Sequence, residues 1–165
     1  PDGSVILSSR TEGRWFNIFR FDDKSYTTGH WEQPVKAKDI ICLQNACNGE
    51  IMALKAYDKQ TRKKVWIYLQ SVPYGPKRSH VSIYYKVLPY KVDCKSITAE
   101  NFGQDWARYE VLPDDSGFST FCLTADKQIG FLYERAPKQG QWLYDVWFEK
   151  ISLEQITNGR YSMKK

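Results

Sequence analysis

The stretch SGFSTFCLTADKQIGFLYE, Ser116 to Glu134, constrains the fold more than any other part of this chain. Two apolar runs rich in Phe, Thr, Ile and Leu flank a polar tetrapeptide, Ala125-Asp126-Lys127-Gln128. Strand, turn and strand in that order predict a β-hairpin. The rest of the chain repeats the theme. Strands are predicted at Val5 to Ser9, Trp15 to Phe21, Glu50 to Ala56, Val65 to Ser71, Val81 to Val87 and Leu143 to Ile151. The turn Asp58-Lys59-Gln60-Thr61 joins the third and fourth of these. Loops are predicted from Asp22 to Trp31 and, with one helical turn, from Ser96 to Trp106. A second helical turn is expected at Leu153 to Ile156, and Asn158-Gly159-Arg160-Tyr161 reads as a terminal turn. No apolar period of 3.6 residues persists, so no long helix is expected.

Aromatic residues make up 15% of the chain. They favour pleated, half-buried surfaces, which supports an all-β class. Short, evenly spaced strands suit a sandwich, a barrel or a propeller. A degenerate unit, seen in PDGSVILSSR and ADKQIGFLYE and partly in NGEIMALKAY, runs from a turn through an apolar strand to a charged strand end. Such repetition fits propeller blades, and the length supplies about three of them, fewer than the four to eight of a closed propeller. A partial propeller leaves open edges. The expectation is therefore the C-terminal part of a single larger domain, whose N-terminal blades lie outside this chain. It opens on Pro-Asp-Gly rather than Met, with no secretory signal, which reads as a processed or cut start.

The net charge of +5 comes from Lys and Arg spread along the chain, and the longest basic run is only Arg62-Lys63-Lys64. That distribution reads as solvated surface, and no nucleic-acid-binding pattern accompanies it. No apolar run is long enough for a membrane-spanning helix. Cys42, Cys47, Cys94 and Cys122 lack CxxC spacing, and His30 and His80 are not spaced as zinc ligands, so no metal or other cofactor is expected. The apolar surroundings of the cysteines predict buried free thiols, with a Cys42–Cys47 disulfide as the alternative. His30 and His80 read as surface or hydrogen-bonded side chains, and Trp31 and Trp106 as packing between strand units.

Four segments, in order, resemble the sialidase family, and most closely bacterial exo-sialidases. PDGSVILSSRTEGR resembles the strand that ends in the second arginine of the family's carboxylate-binding triad, which falls on Arg10, with Arg14 across the turn. NACNGEI is similar to the segment that faces the substrate's side chain, with Asn48 in the facing position. SVPYGPKRSHVSIYYK resembles the segment of the third arginine, which falls on Arg78. The hairpin resembles the one that carries the tyrosine nucleophile and ends in LYE, whose Glu134 steadies an arginine. Phe118 occupies the tyrosine position. The family's Asp-box has a degenerate counterpart in Asp22 or Asp23, Gly29 and Trp31.

The resemblance implies part of a six-bladed β-propeller that removes terminal sialic acid from sialylated glycans, or binds it. The implied location is secreted, periplasmic or cell-surface in a bacterium. The implied partners are sialylated glycans or free sialic acid, together with the N-terminal part of the same propeller. Arginine suits this ligand because its planar guanidinium grips a carboxylate through paired N–H donors. The family's general base, its acid/base aspartate and its first arginine would lie upstream of Pro1. Phe118 has no hydroxyl, so hydrolysis needs another phenol, such as Tyr85, Tyr109 or Tyr133. Otherwise the site binds without turning over.

Overall fold

The computed structural model describes residues 3–11, 13–40, 47–138 and 143–164. Strand accounts for 54% of it and helix for 9%, all pairing is antiparallel, and no closed barrel forms among the described residues. The smaller sheet holds β1 (Val5–Thr11), β2 (Gly13–Phe21), β3 (Gly29–Trp31) and β4 (Val35–Lys36), with β2 paired to the other three. The larger runs in the order β10-β9-β8-β7-β6-β5-β11. Its members are β5 (Ile51–Asp58), β6 (Lys64–Pro73), β7 (Ser79–Pro89), β8 (Ala107–Leu123), β9 (Ile129–Arg135), β10 (Asp145–Ile151) and β11 (Tyr161–Ser162). Two one-turn helices, α1 (Ala99–Phe102) and α2 (Leu153–Ile156), each begin with a capping box, from Thr98 with Asn101 and from Ser152 with Gln155.

The hairpin falls where the sequence predicts it. Thr124 N–H donates to Gln128 O, and Lys127 takes the left-handed conformation that such a turn needs. The strand entering it is longer than predicted, because β8 begins at Ala107. Its first half pairs with β7 and its second half with β9. Between the halves lie Pro113, which cannot donate to a ladder, and a register shift from Ser116 to Ser119. β8 thus carries the chain from one sheet surface to the next.

Two apolar clusters show how the surfaces stack. In the first, Leu54, Ile67 and Ile83 of β5–β7 meet Phe121, Phe131 and Tyr133 of β8 and β9, with α2 at the edge. In the second, the opposite face of the same limb presents Tyr68 and Tyr84 to Phe16 of β2 and to Phe102 and Trp106. The Phe16 and Trp106 rings stack, with centroids 5.7 Å apart. The β5–β7 limb therefore lies between the β1–β4 sheet and the β8–β10 limb. Its strands alternate residues to two apolar neighbours rather than to one neighbour and water.

Some expectations need correction. The Asp22–Trp31 loop ends in β3, and Trp31 is largely exposed, packed edge-on against Phe19 instead of lying between sheets. Cys47 is buried, but Cys94 is half-buried and Cys122 exposed, because Cys122 points to the outer face of β8. Cys42 lies outside the described residues. His30 pairs with Asp22 and His80 with Glu110.

Phe131 is fully buried. Phe131→Ala should lower the unfolding free energy by about 3–5 kcal/mol in denaturant titrations. The hairpin turn gives a pH prediction. The Thr124 hydroxyl, with Lys150, holds the Asp126 carboxyl down to about 2. A depressed folded pKa means that its contribution is complete above the ordinary value of 3.8 and is lost as pH falls through about 2. The difference in unfolding midpoint between wild type and Asp126→Asn should be constant near neutrality and shrink steadily between those two values.

Candidate functional site

The register shift in β8 fixes the centre of the site. Gly117 and Phe118 fall between the paired residues Ser116 and Ser119, so the Phe118 amide is outside the ladder. It donates to Glu134 Oε2 at 2.8 Å. Gly117 is required for this. A Cβ there would stand 1.9 Å from the same carboxylate oxygen. The neighbouring groups are also held. Cys47 Sγ donates to Gly117 O at 3.1 Å, and the Ser119 and Ser71 hydroxyls meet at 2.9 Å. Glu50 Oε2 accepts from the Phe121 amide at 3.2 Å and from the Thr120 hydroxyl.

Two arginines from different elements converge on the Phe118 ring. Arg10, at the end of β1, places its guanidinium carbon 5.7 Å from the ring centroid. Arg78, in the 3-10 turn Pro76–Arg78 before β7, places its own at 5.5 Å. Each contact contributes about 0.5–2 kcal/mol, depending on how far the cation is desolvated. The Arg78 turn is unusual. Lys77, Arg78 and His80 all have positive φ, a conformation that side chains other than glycine adopt only when their surroundings enforce it. The Ser116 hydroxyl donates to Arg78 O at 2.9 Å and ties this turn to β8.

Asn48 borders the same place. A pocket of about 280 Å³ is lined by Asn48, Phe118, Thr120, Leu132, Glu134 and Val146, among others. Buried Arg14 holds the Asn48 segment, donating to Cys47 O at 3.0 Å. A Cβ at Gly49 would lie 1.6 Å from Ser71 O, so only glycine permits that close approach. Asn45 lies outside the described residues. Thus Arg10, Asn48, Arg78, Phe118 and Glu134 are brought to one locality by three consecutive strand units. The contact seen for Glu134 is with the Phe118 backbone.

No protein-family model matches this chain, and no curated protein matches it. The site must therefore be read from its own chemistry. Two guanidiniums over one ring, beside an amide side chain and a carboxylate, make a cradle for a small anion with polar substituents.

The phenols differ sharply in their surroundings. Tyr85 and Tyr109 pack against the larger apolar cluster. The Tyr133 hydroxyl donates to Glu149 Oε1 at 2.5 Å, and burial, together with that carboxylate, holds the phenol far above its usual range. Tyr133 lines the same pocket as Phe118, but its hydroxyl is engaged by Glu149. Tyr144 is the phenol that sequence reading missed. Burial raises its pKa, Arg78 opposes the rise, and Asp115 and Glu134 reinforce it. Burial is thus the main influence on it, and the charges of the site act on it in smaller measure. The available signal was positional: Tyr144 directly precedes β10, whose Val146 pairs with Glu134.

Gly117→Ala and Glu134→Ala should each reduce stability by about 1–3 kcal/mol, the range for losing a hydrogen bond to a charged group. The double variant should lose clearly less than the sum, since both act on the same carboxylate. Additive losses in a double-mutant cycle would show that Gly117 and Glu134 act independently.

Proposed function

We propose that this protein recognises terminal sialic acid on glycans through a sialidase-type site, as the C-terminal part of a six-bladed β-propeller. The observation that carries the reading is the convergence of Arg10 and Arg78 on Phe118. The sugar's carboxylate would take the guanidinium donors, and Asn48 would face its polar substituents. Arg10, Arg78 and Phe118 come from three different strand units, as expected where blades surround a common axis. Three meanders stacked face to face support the same architecture. So do apolar side chains left open on the two outermost faces. Val5 and Leu7 are 49% and 46% exposed on β1, and Val146 and Phe148 are 67% and 55% exposed on β10. Those are the faces that further blades of the same propeller would cover.

Phe118 places no nucleophile beneath the bound sugar, so recognition without turnover is the reading the geometry favours. A second reading is exo-sialidase hydrolysis by the whole protein. Tyr144 is the phenol to test for it, since it directly precedes β10, whose Val146 pairs with Glu134, and the charges of Arg78, Asp115 and Glu134 act on it. Under this second reading the acid and base would come from further blades of the same propeller.

Calorimetry of the full-length protein with N-acetylneuraminic acid tests the site. Arg10→Ala and Arg78→Ala should each weaken binding by roughly 10- to 100-fold, the equivalent of one or two charge-assisted hydrogen bonds. Unchanged affinity would remove the site assignment. A fluorogenic sialoside then separates the two readings. Turnover only after Phe118→Tyr supports a binding site with a missing nucleophile. Turnover by wild type that is lost in Tyr144→Phe supports hydrolysis.

A further inference from the structure

At the opposite end of the β5–β7 limb, β5 turns into β6, β7 ends, and β11 pairs with the end of β5. A groove of about 790 Å³ opens there, lined by Lys63, Lys64, Lys91 and Arg160 and by the rings of Tyr90 and Tyr161. The carboxylate among its lining residues is Asp58, which is almost fully buried. Asp58 Oδ1 accepts from the Gln60 and Thr61 amides at 2.9 and 3.3 Å, and Oδ2 faces Arg160 at 3.5 Å. It therefore caps its own turn and offsets little of the charge of the three lysines.

Aromatic faces, more than carboxylates, position the cations here. Lys64 Nζ lies 5.6 Å from the Tyr90 ring centroid, and Arg160 lies 5.2 Å from that of Tyr161. Trp66 stacks on Tyr90 at 5.8 Å, and Lys55 lies over Trp66 at 5.5 Å. A ring orients an ammonium without neutralising it, so the positive charge stays available to a ligand. Trp66 is also a wall of a second pocket, of about 680 Å³, with Lys55, Lys127 and Lys164 and no carboxylate among its lining residues. The cations thus form a path rather than a point.

We propose that this basic, aromatic-braced groove binds an anionic polysaccharide, a chain bearing sulfate or uronate groups, at a site separate from Arg10 and Arg78. The separation follows from β6, which runs ten residues from Lys64 beside the groove to Pro73 near the Arg78 turn. At about 3.3 Å per residue that is roughly 30 Å, too far for one sugar to touch both. The aromatic geometry favours a polysaccharide over single-stranded nucleic acid. Base recognition needs open ring faces, whereas Trp66 and Tyr90 face each other and lysines lie over both. Sulfates and carboxylates need only fixed cations at intervals.

The test uses the full-length protein, with heparin as the sulfated, uronate-bearing probe, titrated at several salt concentrations. Lys64→Glu/Lys91→Glu should weaken heparin binding roughly ten-fold or more and flatten the salt dependence, as expected when cation contacts are removed from a polyelectrolyte interface. Lys24→Glu/Lys38→Glu changes the net charge equally at exposed sites away from the groove and should have a much smaller effect. The milder Lys64→Gln/Lys91→Gln pair keeps the result readable if charge reversal disturbs folding. N-acetylneuraminic acid affinity should be the same in all three, which distinguishes failure here from failure of the sialic-acid reading. Equal losses from the two charge-reversal pairs would overturn the proposal, leaving only a net-charge effect. Tighter, equally Lys64-dependent binding to single-stranded DNA or to anionic phospholipid vesicles than to heparin would also overturn it.

Discussion

Beyond its first turn, β6 has almost no face toward water. Leu69, Gln70, Ser71, Val72 and Pro73 are all buried in succession, since one side of the strand meets the β8–β10 limb and the other meets β2 and α1. A strand buried on both faces cannot leave its polar side chains to solvent, and an unsatisfied buried polar group costs about 1–3 kcal/mol. Gln70 and Ser71 meet this constraint by reaching in opposite directions. Gln70 accepts from the Ser8 hydroxyl of β1 at 2.6 Å, and Ser71 meets Ser119 of β8 and the Glu50 amide. These bonds fix the strands on either side of β6 relative to it, and those neighbouring strands carry Arg10 and Phe118. The convergence of the site is a consequence of how the central strand satisfies its own polar groups.

The bulge in β8 follows from the same packing. Ser119 must face Ser71, while Ser116 must reach Arg78 O and pair with Arg135. The residues between absorb the mismatch, and Phe118 turns outward. Its amide loses a ladder partner and gains the Glu134 carboxylate. A ring so placed under two guanidiniums is well suited to hold them apart and oriented, but it offers no oxygen for covalent chemistry. Under the proposed sialic-acid reading this would favour binding over hydrolysis, and a single hydroxyl at Phe118 would alter that balance with little change in packing.

Much of the strand pattern was legible because alternation and turn chemistry are local. The hairpin turn at Asp126 and α2 from Leu153 to Ile156 fall where the residues predict them. The first half of β8 was not legible. Ala107 to Asp115 contains charged residues and Pro113, and it forms a strand because β7 offers a partner edge, a fact of tertiary structure. Cys122 misled for a related reason: an apolar neighbourhood in sequence does not say which face of a strand looks outward. In the candidate site, Arg10, Asn48, Arg78, Phe118 and Glu134 were singled out together only through the family resemblance, since nothing in their local sequence places them side by side. Tyr144 was harder to single out, since its only signal is its position just before β10, which pairs with the strand of Glu134.

Strain gives an independent argument that the Arg78 turn serves a purpose other than connection. A left-handed conformation at a residue other than glycine or asparagine costs of order 1–3 kcal/mol, and Lys77, Arg78 and His80 all adopt it within four positions. A turn selected only to join β6 to β7 would relieve this with glycine, as Gly75 immediately before it shows that glycine is tolerated nearby. Instead, the chain keeps large cationic side chains there and holds the backbone by Ser116 on Arg78 O and by the Tyr74 and Gly75 amides on His80 O and Ser79 O. These bonds oppose relaxation of the turn and hold the Arg78 main chain in place. Under the proposed reading, a main chain fixed in advance would leave less freedom to lose when a carboxylate binds, which would offset the strain.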